Sequence, residues 1–161
     1  MENICKKGKN MKVMVVSPHP DDETLGAGGT LLRLKKEGHQ IYWLNITDAK
    51  EKDGWSASFI KQRKEQIQRV CDFFEFDDTF NLKFPPAKLE MLEKSILIQK
   101  IGSCFQTVEP EWIILPDPND AHSDHKITYE SCISCSKIFR YPYIHRITTM
   151  EILSETDFGR I

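Results

Sequence analysis

Along the chain, short apolar runs alternate with longer stretches in which apolar residues recur every three or four positions. The runs at Lys12–Val16, Gln40–Ile46 and Glu111–Leu115 (EWIIL) are the length of buried strands, with further candidates in a short strand at Asp78–Leu82 and a final strand at Arg146–Leu153. Between them, Ser58–Phe74 carries Ile60, Ile67, Val70, Cys71 and Phe74 at helical spacing. Lys88–Phe105 does the same with Leu89, Leu92, Ile96, Ile101 and Phe105. Thr30–Lys36 reads as a helix opened by glycines and closed by Gly38, and Ser123–Phe139 as another helix. Strand–helix alternation predicts an α/β fold with a mostly parallel sheet covered by helices on both faces. No internal repeat, low-complexity tract or linker interrupts it, so 161 residues read as one domain, 1–161, with residues 1–10 as a loose extension.

In such sheets ligands bind beyond the carboxyl ends of the strands. Two loops there carry unusual chemistry. After Lys12–Val16 comes SPHPDDETLGAGGTL, with His19, Asp21, Asp22 and Glu23 almost side by side. After Glu111–Leu115 comes PDPNDAHSDH, with Asp117, Asp120, His122, Asp124 and His125. Adjacent carboxylates repel one another, and a turn needs only one such residue. Either solvent relieves the conflict or a cation sits there. Two or three imidazoles with one carboxylate make a zinc site with an open position. The acidic pair alone also resembles the magnesium pocket of phospho-receiver domains, but magnesium prefers oxygen ligands and has no use for three histidines. Pro18 and Pro20 stiffen the loop around His19, and His122 and His125 lie within one helical turn.

His19-Pro20-Asp21-Asp22-Glu23 and His122-Ser123-Asp124-His125 resemble the paired signatures of the PIG-L/LmbE-like family of zinc-dependent deacetylases acting on N-acetylglucosamine-containing compounds. The GAGGTL segment, the pair Thr47-Asp48 and Ser154-Glu155-Thr156 extend the resemblance over roughly Lys12 to Phe158. It implies a Rossmann-like three-layer sandwich and a Zn2+ cofactor bound by His19, Asp22 and His125. It implies Asp21 as general base. It gives His122, in protonated form, the oxyanion or the acid role, with Asp124 orienting its ring. Arg63 and Trp55 are the expected substrate-binding residues. The expected reaction is removal of an acetyl group from an N-acetylglucosamine-type amino sugar or glycoconjugate. The alternative is a truncated, metal-binding relative that acts as a sugar-binding module. Two departures stand out: Ala49 where relatives often have Gly, and a C-terminus short for the family. The shortness leads to the expectation of a homo-oligomer formed through an exposed final strand.

Composition narrows the remaining classes. With 40% apolar and 29% charged residues the chain is ordinarily globular, and a net charge of -2 gives no reason to expect nucleic acid. No apolar run approaches the length of a membrane span, and no secretory signal is evident. Five cysteines without framework spacing suggest free thiols and a cytoplasmic protein. Cys132-x-x-Cys135 reads as helix packing. Trp43 and Trp112 read as core, and His39 and His145 as surface.

Overall fold

The computed structural model describes residues 10–153 and 155. Five strands, β1 (Lys12–Ser17), β2 (Gln40–Thr47), β3 (Asp78–Phe84), β4 (Trp112–Pro116) and β5 (Arg146–Met150), form one sheet in the order β3-β2-β1-β4-β5. All four neighbouring pairs are parallel. Four helices connect them: α1 (Asp22–Lys36), α2 (Ala57–Phe74), α3 (Lys94–Val108) and α4 (Ser123–Ser134).

The central strand shows why the sheet is covered twice. Side chains alternate across a strand. Met14 and Val16 join one apolar cluster with Leu97, Ile101 and Phe105 of α3 and Cys132 of α4. Val13 and Val15 join the opposite cluster with Ala27, Leu31 and Leu34 of α1 and Phe74 of α2. An unbroken apolar run is therefore what a strand buried on both faces requires. Each fully buried Leu or Ile contributes roughly 1.5–3 kcal/mol of transfer free energy. From β1 the chain crosses first to β2 on one side and later to β4 on the other. Their register pairs Val13 with Trp112 and Val15 with Ile114. The loops after β1 and β4 thus lie side by side at the switch point, where a crevice opens.

Several boundaries differ from the sequence reading. The first helix begins at Asp22, not Thr30, because the acids Asp22 and Glu23 occupy its first turn, where the helix dipole favours negative charge. The segment expected as one helix from Lys88 splits into a 3-10 turn at Leu89–Met91 and α3 from Lys94. The last helix stops at Ser134 rather than Phe139, and β5 ends at Met150 rather than Leu153, whereas β3 runs on to Phe84. His39 is not a surface residue. Its side chain is only 9% exposed, and its Nδ1 accepts the Met11 amide at 3.0 Å. His145 is exposed. Trp43 and Trp112 are core residues. Residues 1–9, Ser154 and Thr156 lie outside the described residues. No helix among the described residues is long and apolar enough to cross a membrane.

Candidate active site

The acidic run separates as the chain enters α1. Asp21 is the N-cap residue, exposed, with no capping bond from its side chain, and it lines the cavity at the sheet edge. Asp22 is 4% exposed and turns toward the histidines. Glu23 points into the interior, where Thr24 Oγ1 donates to it at 2.6 Å and Ser17 Oγ at 3.3 Å. Burial pushes its carboxyl up to about 7. Ser17 Oγ in turn accepts Trp43 Nε1–H at 3.0 Å. The carboxylates thus occupy separate environments. The Pro18 carbonyl before them is held by both the amide and the hydroxyl of Thr47, at 3.0 and 2.8 Å.

Three donor atoms converge. His19 Nδ1 lies 3.3 Å from His125 Nε2 and 3.5 Å from Asp22 Oδ2, and His125 Nε2 lies 3.4 Å from Asp22 Oδ2. Zinc bonds of about 2.0–2.1 Å in a tetrahedron set ligand atoms about 3.3–3.4 Å apart, so these three match one face of such a site. The outer ring nitrogens are already committed. His19 Nε2 meets Asp124 Oδ2 at 3.1 Å, and His125 Nδ1 meets Asp120 Oδ2 at 3.0 Å. Each carboxylate holds a proton on the outer nitrogen and turns a lone pair inward. Two lone pairs facing each other across 3.3 Å need a proton or a cation between them. Burial opposes charge on His19, yet its bonds to Asp124 and Asp22 outweigh that and raise its pKa to about 9. The pocket favours positive charge, and the donor set fits zinc. A second group of possible ligands, His19, His122 and Asp124, fits less well. There the Asp124 carboxylate already accepts the amides of Ala87 at 2.6 Å and Leu89 at 3.1 Å.

Those contacts correct one expectation. The Asp124 carboxylate orients His19, not His122; its bonds from His19, Leu89 and Ala87 hold its carboxyl below the usual range against the opposing effect of burial. His122 is steered instead by the Asp124 backbone amide, which donates to its Nδ1 at 3.1 Å. Its proton therefore sits on Nε2. Burial and the neighbouring His19 and His125 rings lower its pKa, a direction that disfavours the protonated form the resemblance implied. Asp120, a candidate without an assigned role, joins both histidines: besides His125 Nδ1, its Oδ1 accepts the His122 amide at 2.9 Å. Its position two residues before His122 was the available signal.

Asp21, Asp22, His19, His122 and His125 open onto one cavity of about 270 Å³. Arg63 of α2 and Trp55 line it as well, with Arg63 Nη2 donating to the Pro20 carbonyl at 3.3 Å. Trp55 is 40% exposed and stacks on Phe59, with centroids 4.7 Å apart; the Phe59 ring also lines the cavity and had no signal in the sequence beyond its place one turn into α2. Ala49 forms part of the same wall. Cys132 and Cys135 lie apart from it as buried thiols in the core beside α3, and burial pushes the Cys135 thiol up to about 11.

The chain is 29% identical over 121 residues to a probable N-acetyl-alpha-D-glucosaminyl L-malate deacetylase 2 of Bacillus cereus, covering 70% of this chain and 55% of that protein. It is 26% identical over 124 residues to diacetylchitobiose deacetylase of Thermococcus kodakarensis, covering 71% and 45%. It therefore spans about half the length of the curated relatives it matches. In fold it is similar to a conserved protein of Thermus thermophilus, with a TM-score of 0.73 and 24% identity over 88% of this chain and 66% of that one. Residues 14–136 match the family model described as GlcNAc-PI de-N-acetylase, PIG-L. That match takes in both signature loops and well over half of the sequence, and the chain belongs to the PIG-L, or LmbE-like, family.

Proposed function

We propose that this protein is a zinc-dependent N-deacetylase that hydrolyses the acetamide of an N-acetylglucosamine-type amino sugar or glycoconjugate. The observation that carries this reading is the triangle of His19 Nδ1, His125 Nε2 and Asp22 Oδ2 beside a cavity that also holds Asp21 and His122. Relatives named as deacetylases of N-acetylglucosaminyl malate and of diacetylchitobiose support the substrate class.

His19, Asp22 and His125 would hold the zinc ion, which when bound acidifies a water molecule and polarises an amide carbonyl. The remaining chemistry belongs to the chain. The exposed Asp21 carboxylate takes a proton from the attacking water as the oxygen–carbon bond forms. His122 Nε2–H donates a hydrogen bond to the oxyanion of the tetrahedral adduct; the Asp124 amide on Nδ1 fixes that tautomer. Asp21 then delivers its proton to the departing nitrogen, the carbon–nitrogen bond breaks, and acetate and a free amine leave. The Trp55–Phe59 stack offers an apolar ring face on which a sugar can lie, and Arg63 supplies a cation to an oxygen of the substrate. A panel of N-acetylglucosamine derivatives, assayed for acetate release with zinc-loaded protein, tests this. Acetate with an equal yield of amine from at least one member is expected; full zinc loading with no release from any member would favour a sugar-binding role instead.

A further inference from the structure

We propose that Asp120 is a positioning residue that selects the metal-binding tautomer of His125 and locks it to the backbone of His122. The proposal builds on the metal-site reading above, but its primary test needs no metal.

Asp120 is fully buried, in the turn before α4. Its two oxygens face two different donors. Oδ2 lies 3.0 Å from His125 Nδ1, and Oδ1 accepts the His122 N–H at 2.9 Å. The two bonds are not equivalent. A backbone amide is always a donor, so Oδ1 has no choice of partner chemistry. An imidazole can place its single proton on either nitrogen. A carboxylate, which only accepts, forces that proton onto Nδ1 and leaves the lone pair on Nε2, the atom 3.4 Å from Asp22 Oδ2 and 3.3 Å from His19 Nδ1. One side chain thus sets the protonation pattern at the ligand corner. It also fixes the peptide that starts the His122 turn, so both histidines keep one spacing.

Asparagine tests this because it keeps the shape but exchanges one acceptor for a donor. In Asp120→Asn the amide oxygen must meet the His122 N–H, which cannot change. The amide NH2 then faces His125 Nδ1. It can donate there only if His125 moves its proton to Nε2, into the corner where a lone pair is needed. A purely structural role predicts no such switch.

The experiment is two-bond proton–nitrogen NMR of 15N-histidine-labelled protein without metal, followed by zinc titration against a chelator of known affinity. Wild type should show His125 protonated at Nδ1. Asp120→Asn should show it protonated at Nε2, with a native circular dichroism spectrum and zinc affinity about 10–100-fold weaker, the range typical for loss of a carboxylate behind a ligating histidine. Asp120→Ala should show a mixture of tautomers. His125 protonated at Nε2 in wild type would overturn the proposal even if no variant folds. So would Asp120→Asn with His125 still protonated at Nδ1, or with unchanged zinc affinity. Failure of wild type to bind zinc would instead count against the metal reading, and the tautomer comparison would still decide the role of Asp120.

Discussion

Two glycines three residues apart on α1 should respond to alanine with opposite signs. In a helix interior, glycine costs about 0.8–1.0 kcal/mol relative to alanine. A Cβ at Gly29 would meet nothing within 4 Å. Gly29→Ala should therefore realise the whole gain and stabilise the protein by about 1 kcal/mol, or roughly 2–4 °C in melting temperature for a chain of this size. A Cβ at Gly26 would lie 3.0 Å from Met150 Cγ, 3.1 Å from its Sδ and 3.2 Å from the Glu151 carbonyl oxygen. Met150 is 4% exposed at the end of β5, and the carbonyl belongs to the backbone, so the methyl must push β5 and α1 apart. Such overpacking costs about 1–3 kcal/mol. Set against the same propensity gain, Gly26→Ala should be destabilising by up to about 2 kcal/mol. Urea denaturation of both variants in metal-free protein measures the difference, with unchanged m-values showing that only stability has moved. Equal stabilisation by both substitutions would refute the close approach of α1 to β5. The contact bears on function, because α1 carries Asp21 at its N-cap and Asp22 in its first turn.

Asp21→Asn should retain zinc and lose turnover by about 10²-fold or more, whereas Asp22→Asn should weaken zinc binding; metal analysis beside kcat separates them, and the reverse pattern would exchange their roles. His125→Ala should lose zinc and activity together, while His122→Ala should keep zinc and lower kcat with little change in KM. Asp124→Asn should cost about 1.5–3 kcal/mol of stability, because asparagine cannot accept all three of the bonds from His19, Ala87 and Leu89. Hydrogen exchange should show faster exchange at residues 87–91 in that variant, and unaltered protection there would contradict the pairing.

The sheet was legible because β1, β2 and β4 are dominated by apolar residues in sequence, the mark of strands buried on both faces. The start of α1 was hidden. Its first turns hold three glycines, which lower helix propensity, and the reason one of them is needed, the close approach of Gly26 to Met150 and the Glu151 carbonyl, lies far away in the chain. The 3-10 turn before α3 begins where the amides of Ala87 and Leu89 donate to the Asp124 carboxylate, a long-range pairing that no local pattern announces. That imidazoles and carboxylates would gather after two strands was legible in the residues, whereas the choice of His19, Asp22 and His125 among them came from the family resemblance. The pairings behind them were not legible: Asp124 reaches His19 across 105 residues of sequence, and only the docking of the two loops decides which carboxylate serves which ring.

Whether the protein is a zinc-dependent deacetylase is decided by acetate release from an N-acetylglucosamine conjugate, followed through removal and return of zinc. Hydrolysis by the zinc-loaded protein is expected, with loss of it when a chelator strips the metal and recovery on adding one equivalent of zinc per chain. Acetate release that continues undiminished in the metal-free protein would contradict zinc dependence.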